Sequence, residues 1–279
     1  MEKRLLLVID GNHYSDSVVD YGIYLARMSG SQVEGVFMRD LRNTQYIYPI
    51  LFDQPFVDTT VYTELMDMER ANITKSIQKF RDRCEKEKVT YKVHFDEQRP
   101  LESVIARSAS ADIIIIDGDT DISDIFPDTP SSSLKELLVD ALCPLLIVPK
   151  ESHPIEDIIL TSDGSYSSVY AVKMFSYLFP EMRGLRATVL SIEHASSHNQ
   201  VSHDPDIADM IKKKFDNVSY HIEYGKAAHQ LKTYISDHGS NTLVVMGAYG
   251  RNAVSRLWRQ SLANGLIRDA KVPVFISHT

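Results

Sequence analysis

The sequence predicts an α/β protein made of two tandem, doubly wound parallel-sheet domains, Rossmann-like in class and related by a pseudo-twofold. Three observations carry this. Short all-apolar runs rich in Ile, Val and Leu alternate with stretches of 3.6-residue apolar periodicity, as in buried parallel strands joined by helices. Two such runs, in Leu5 to Ile9 and Ile158 to Leu160, lead into Asp-Gly and then a helical pattern, with Asp10 and Asp163 lying 153 residues apart. The later elements of each half repeat at a constant spacing of 129 residues.

In the first half, Leu5 to Ile9 followed by Asp10-Gly11-Asn12 reads as a buried strand and a turn. Ser15 or Asp16 is placed to cap a helix whose inner face carries Val18, Val19, Gly22, Ile23 and Ala26. Gln32 to Met38 is a second strand. The stretch Asp40 to Glu64 is aromatic (Tyr46, Tyr48, Phe52, Phe56, Tyr62) and broken by Pro49 and Pro55. It reads either as a loop over its own domain or as a lid or partner surface. A longer helix follows, with Ile73, Ile77, Phe80 and Cys84 on one face. Tyr91, Val93 and Phe95 alternate as in a strand, and Asp112 to Gly118 forms another. Leu134, Leu137, Leu138 and Ala141 mark a last helix, stopped by Pro144 before the strand Leu145 to Ile147.

The second half keeps this register. Tyr220, Ile222 and Tyr224 repeat Tyr91, Val93 and Phe95, and Asn241 to Gly247 repeats Asp112 to Gly118. Ala263, Leu266, Ile267 and Ala270, then Pro273, then Val274 to Ile276, repeat the closing helix, proline and strand without a gap. The domains are therefore set at 1–149 and 154–279, with a short polar hinge at Lys150 to Pro154 that leaves the halves packed together. The spacing falls from 153 to 129, so the first half carries an insert, placed at about 40–64.

Composition narrows the function. The chain has 279 residues, 43% hydrophobic and 24% charged, ordinary for a soluble globular protein. A net charge of −8 argues against broad binding to nucleic acid or acidic membranes. The apolar start, Leu5 to Ile9, is too short for a secretory core, no run suits a membrane span, and Cys84 and Cys143 read as buried thiols. A cytoplasmic location is expected.

The richest stretch is Asn241 to His278: a β-branched strand, then Gly247 and Gly250, then Arg251, Arg256 and Arg259 before the helix. Glycine lets backbone N–H groups approach phosphate oxygens with no Cβ in the way, and a helix N-terminus favours anions. This stretch resembles the universal stress protein family, whose nucleotide-binding signature is G-x-x-G, nine residues, then G-S or G-T. Gly247, Gly250 and Ser261 stand at the matching spacing, with Gln260 where the signature has its third glycine. The resemblance implies binding of ATP or AMP, with Mg²⁺, in the second domain. It implies that Asp163 and Gly164 face the adenosine part, that Gly247 and Gly250 approach ribose and phosphates, and that Ser261 donates to phosphate; Arg251 could add charge-assisted bonds there. It also implies five strands per domain, with Leu145 to Val148 and Val274 to Ser277 as sheet-edge strands that pair within the chain.

The first domain is a degenerate counterpart. Asp10, Gly118 and Ser132 stand at the matching positions, but Asp121 replaces the second glycine. Asp117, Asp119, Asp121, Asp124 and Asp128 surround the loop and would repel a polyphosphate, so this half is not expected to bind ATP alone. These acids lack EF-hand spacing, and His194, His198 and His203 sit in a Ser-rich, loop-like context, so no metal site is assigned. No catalytic residue is identified; at most slow ATP hydrolysis is expected. The function read here is a stress-response module with an adenine nucleotide as partner and further pairing into a homodimer. The alternative is an interaction or signalling protein that keeps the fold with a closed phosphate site.

Overall fold

Buried β-branched runs set the architecture. The computed structural model describes residues 2–38, 59–96, 100–118, 132–163, 165–193, 205–248 and 271–278. The chain divides into two compact units, Met1–Leu142 and Cys143–Thr279.

The first unit contains β1 (Arg4–Asp10), α1 (Asp16–Ser29), β2 (Gln32–Met38), α2 (Thr59–Lys86), β3 (Tyr91–Asp96), α3 (Pro100–Ser108), β4 (Ile113–Asp117) and α4 (Ser132–Asp140). Its strand order is β3-β2-β1-β4, and each described pair is parallel. Leu5, Leu7 and Ile9 of β1 and Ile113 to Ile116 of β4 are fully buried, as central strands covered on both faces require. α1 starts at Ser15, whose Oγ accepts the Val18 N–H, and ends at Gly30 in the left-handed conformation, φ 64°. Thr59 already belongs to α2, so the aromatic stretch ends in helix; residues 39–58 lie outside the described residues. On α2, Ile73, Ser76, Phe80 and Cys84 are buried and Ile77 is half-buried. Ser76 takes the inner position because its hydroxyl donates to the Gly11 carbonyl at 2.8 Å.

The second unit contains β5 (Leu145–Val148), β6 (Asp157–Ser162), α5 (Tyr166–Leu178), a 3₁₀ turn at Pro180–Met182, β7 (Arg186–Glu193), α6 (Pro205–Lys214), β8 (Asn217–Tyr224), α7 (Ala227–His238), β9 (Thr242–Ala248) and β10 (Val274–His278). The order is β5-β10-β9-β6-β7-β8. β5 is antiparallel to β10, with Val274 opposite Ile147 and Ile276 opposite Leu145; the other described pairs are parallel. The closing strand of the first sequence repeat thus lies in the second compact unit. Leaving β5 aside, β8-β7-β6-β9 repeats the order of β3-β2-β1-β4. The helix predicted over Ala263 to Ala270 lies outside the described residues. Among the described residues no helix is long and apolar enough to cross a membrane.

One buried charge holds the first sheet together. Glu34 of β2 is 1% exposed and receives Arg4 Nε and Nη2, both at 2.9 Å, and His94 Nε2 at 3.0 Å. Burial pushes its pKa up, but the hydrogen bonds from Arg4 and His94 and the charges of Arg4 and Lys92 outweigh it and hold the carboxyl at about 2. A depressed pKa stabilises the fold above the unfolded value of ~4.3, and that contribution is lost as pH falls from there towards 2. Arg4→Ala is expected to cost about 2–3 kcal/mol in urea unfolding at pH 7, because it strips the buried carboxylate of its bidentate partner. Glu34→Gln is expected to flatten the loss of stability below pH ~4.3.

Candidate functional site

In a doubly wound sheet the ligand crevice opens at the carboxyl ends of the strands, where the strand order reverses. In the second unit that point lies between β6 and β9. Leu160 pairs with Val245, and continuing the register sets Ser162 beside Gly247, with Asp163 just beyond. The Thr161 hydroxyl donates to the Val245 carbonyl at 3.1 Å and ties the two strand ends together.

The loop after β6 is held by its own side chains. Asp163 is exposed, and one carboxylate oxygen accepts the Ser165 N–H at 3.0 Å. Ser165 caps α5, its Oγ accepting the Ser168 N–H at 3.2 Å, while the Ser168 hydroxyl returns to the Ser165 carbonyl at 2.8 Å. Ser165 Oγ also lies 3.1 Å from Ser167 Oγ. Asn, Asp and Ser side chains compete for local backbone donors in this way, which is why they collect at such turns. The result is a hydroxyl-lined helix N-terminus facing the crevice.

Gly247 is explained by that helix. A Cβ there would lie 2.4 Å from both the carbon and the oxygen of the Ser167 carbonyl and 2.6 Å from Ser168 N. The first turn of α5 therefore packs directly on the end of β9. Beside this contact, a shallow, mainly apolar pocket of about 10 Å³ opens between β6, α5 and α6, lined by Thr161, Ser162, Ser168, Val172, Val189 and Met210 among others. That is room for about one water molecule. Of the residues singled out from sequence, Asp163 and Gly247 are brought to one end of the sheet. Gly164, Gly250, Arg251 and Ser261, like Gln260, lie outside the described residues.

The first unit has the same crevice, differently filled. Continuing the β1–β4 register sets Asp10 level with Gly118, which is buried, and Ser132 opens α4. Asp10 is only 7% exposed. Its Oδ1 accepts the N–H groups of Asn12 at 2.8 Å and His13 at 3.1 Å, and its Oδ2 lies 3.1 Å from His13 Nδ1. Gly11 donates its N–H to the Met38 carbonyl at 2.8 Å, and a Cβ on it would stand 2.6 Å from Ile73 Cγ1. α2 thus presses Ile73 and Ser76 onto the β1–α1 loop. Sequence reading placed Ile73 on an inner face without showing that this face meets Asp10-Gly11; the contact is non-local and leaves no pattern in the chain. The acidic residues Asp119, Asp121, Asp124 and Asp128, and His194, His198 and His203, lie outside the described residues. Among the described residues no group of three or more His, Cys, Asp or Glu is placed to hold a metal ion.

The second unit is, by strand order and crevice, a doubly wound, Rossmann-like α/β domain. Residues 159–278, within the second unit, match the Universal stress protein family. A universal stress protein from Archaeoglobus fulgidus is similar in structure over 99% of this chain and 98% of its own, at 15% identity, with a TM-score of 0.66. A functionally unknown protein from Pseudomonas aeruginosa is similar over 99% of this chain and 92% of its own, at 13% identity and a TM-score of 0.55. At these identities the likeness is one of fold, and it extends to the first unit. No curated protein matches the chain.

Proposed function

We propose that the second unit binds an adenine nucleotide, ATP or AMP with Mg²⁺, at the carboxyl ends of β6 and β9, and that the chain acts as a nucleotide-responsive stress module. The observation that carries this reading is the contrast between the two equivalent aspartates. Asp10 is buried under the loop that α2 presses down, whereas Asp163 stands exposed at the mouth of the crevice. The N-terminus of α5, capped by Ser165, lies beside it, where the helix dipole favours an anion. The spacing of Gly247, Gly250 and Ser261 supports phosphate contacts from the segment that follows β9.

The test is calorimetric titration of ATP and AMP, with and without Mg²⁺, into the full chain. One nucleotide per chain is expected. Asp163→Ala should weaken binding about tenfold, the loss of one good hydrogen bond to a ligand. Gly250→Asp should abolish it. Asp10→Ala should leave stoichiometry and affinity unchanged, although it lowers stability by removing the acceptor of two loop N–H groups. Two nucleotides per chain would overturn the assignment to the second unit. No binding in the natural sequence with a gain in Gln260→Gly would show a closed phosphate site and a protein that works through its surfaces.

A further inference from the structure

β8 ends the strand order of the second unit, with β7 as its one described neighbour. None of its eight residues is buried, and Tyr220 and Tyr224 are 46% and 60% exposed. On its counterpart in the first unit, β3, Tyr91 packs edge-on against Phe80 of α2 with ring centroids 5.8 Å apart, while Phe95, which matches Tyr224, is 40% exposed. α2 runs 28 residues and α6 runs 10. A long exposed edge presents unpaired N–H and C=O groups to any strand that fits. On the opposite face of β8, His221 Nε2 lies 2.8 Å from Glu223 Oε1, and Tyr234 of α7 backs the imidazole with ring centroids 5.0 Å apart. Gln230 Nε2 donates to the Tyr224 carbonyl at 2.7 Å.

We propose that this edge pairs with a second copy of the chain, antiparallel, about a twofold axis at Ile222. That register sets Tyr220 opposite Tyr224 of the partner subunit on one face. On the other it sets His221 opposite Glu223 of the partner subunit, twice, so that acid and imidazole alternate in a square of four. Sliding the strands by two residues either way sets His221 against its own copy or Glu223 against its own copy, and like charges directly opposite are unfavourable. Sliding by one turns the tyrosine face onto the polar face. Five paired residues make a small interface, so the dimer is weak and reversible.

Sedimentation velocity on the full chain over a concentration series tests this. The natural sequence is expected to dimerise with rising concentration. His221→Glu and Glu223→His should each weaken the dimer about tenfold or more, and combining them should restore it to within about threefold. Tyr220→Lys, on the other face, should weaken it as well. Far-UV circular dichroism of each variant keeps loss of pairing distinct from loss of fold. A chain that stays monomeric up to about 1 mM, on the scale of weak complexes, would overturn the proposal. So would a dimer indifferent to the single variants, or one that the combined swap fails to restore.

Discussion

Gly247→Ala is expected to destabilise the second unit by about 3 kcal/mol and to remove nucleotide binding even where the protein remains folded. The added methyl would sit 2.4 Å from the Ser167 carbonyl and 2.6 Å from Ser168 N. These are backbone atoms in the first turn of α5, so no rotamer change relieves the overlap. Either β9 or α5 must move, in an interior packed as densely as an organic crystal. The movement falls on the Ser165–Ser168 turn, so the donors that face the crevice shift with it. Urea unfolding measures the stability and calorimetry the binding. The control is Gly184→Ala: a Cβ there meets nothing within 4 Å, and the change is expected to stay within about 0.5 kcal/mol. Equal effects at the two positions would show that the close approach of α5 to β9 is not what sets the cost.

Phe175→Ala is expected to cost about 4 kcal/mol, the largest effect of any substitution considered. Phe175 is fully buried on α5. Its ring lies 5.3 Å from Phe275 in an edge-on arrangement, 5.7 Å from Phe179, and 6.4 Å from Phe215 with the planes 11° apart. One side chain therefore joins α5, β10 and the residue that follows α6. Its removal loses the transfer energy of the ring, opens a cavity and breaks three aromatic contacts together. A domain of this size has about 5–15 kcal/mol in all, so the variant should melt roughly 10 °C lower. Phe175→Leu, which keeps most of the volume, should lose less than half as much. Similar melting of the two variants would place the tertiary constraint elsewhere.

Much of this molecule was legible in one dimension. β2 runs from Gln32 to Met38 as its apolar pattern predicts, and Ser15 caps α1. The strand predicted within Asn241 to Gly247 forms at Thr242–Ala248. Leu134, Leu137, Leu138 and Ala141 are all buried at the predicted helix face. These features depend on near neighbours in the chain, where side-chain period, caps and β-branching act directly. Ile77 was read as part of the inner face of α2 and is only half-buried, because Ser76 turns inward to bond Gly11. A polar residue facing a core position is invisible to apolar periodicity unless its distant partner is known.

The candidate site divides in the same way. The sequence by itself determined the doubled α/β pattern, the aspartate that ends the first strand of each half, and the placing of Gly247 at the end of a buried strand. Tertiary structure alone decided which aspartate is open. Asp10 and Asp163 follow equivalent strands, yet one is covered because α2 lies across its loop and the other stands exposed. Only the folded chain shows that Gly247 is needed by the backbone of α5, and that the tyrosines of β8 stand bare. The physical reason is common to all three. Local propensity depends on residues a few positions apart, whereas burial and close approach depend on elements brought together from far along the chain.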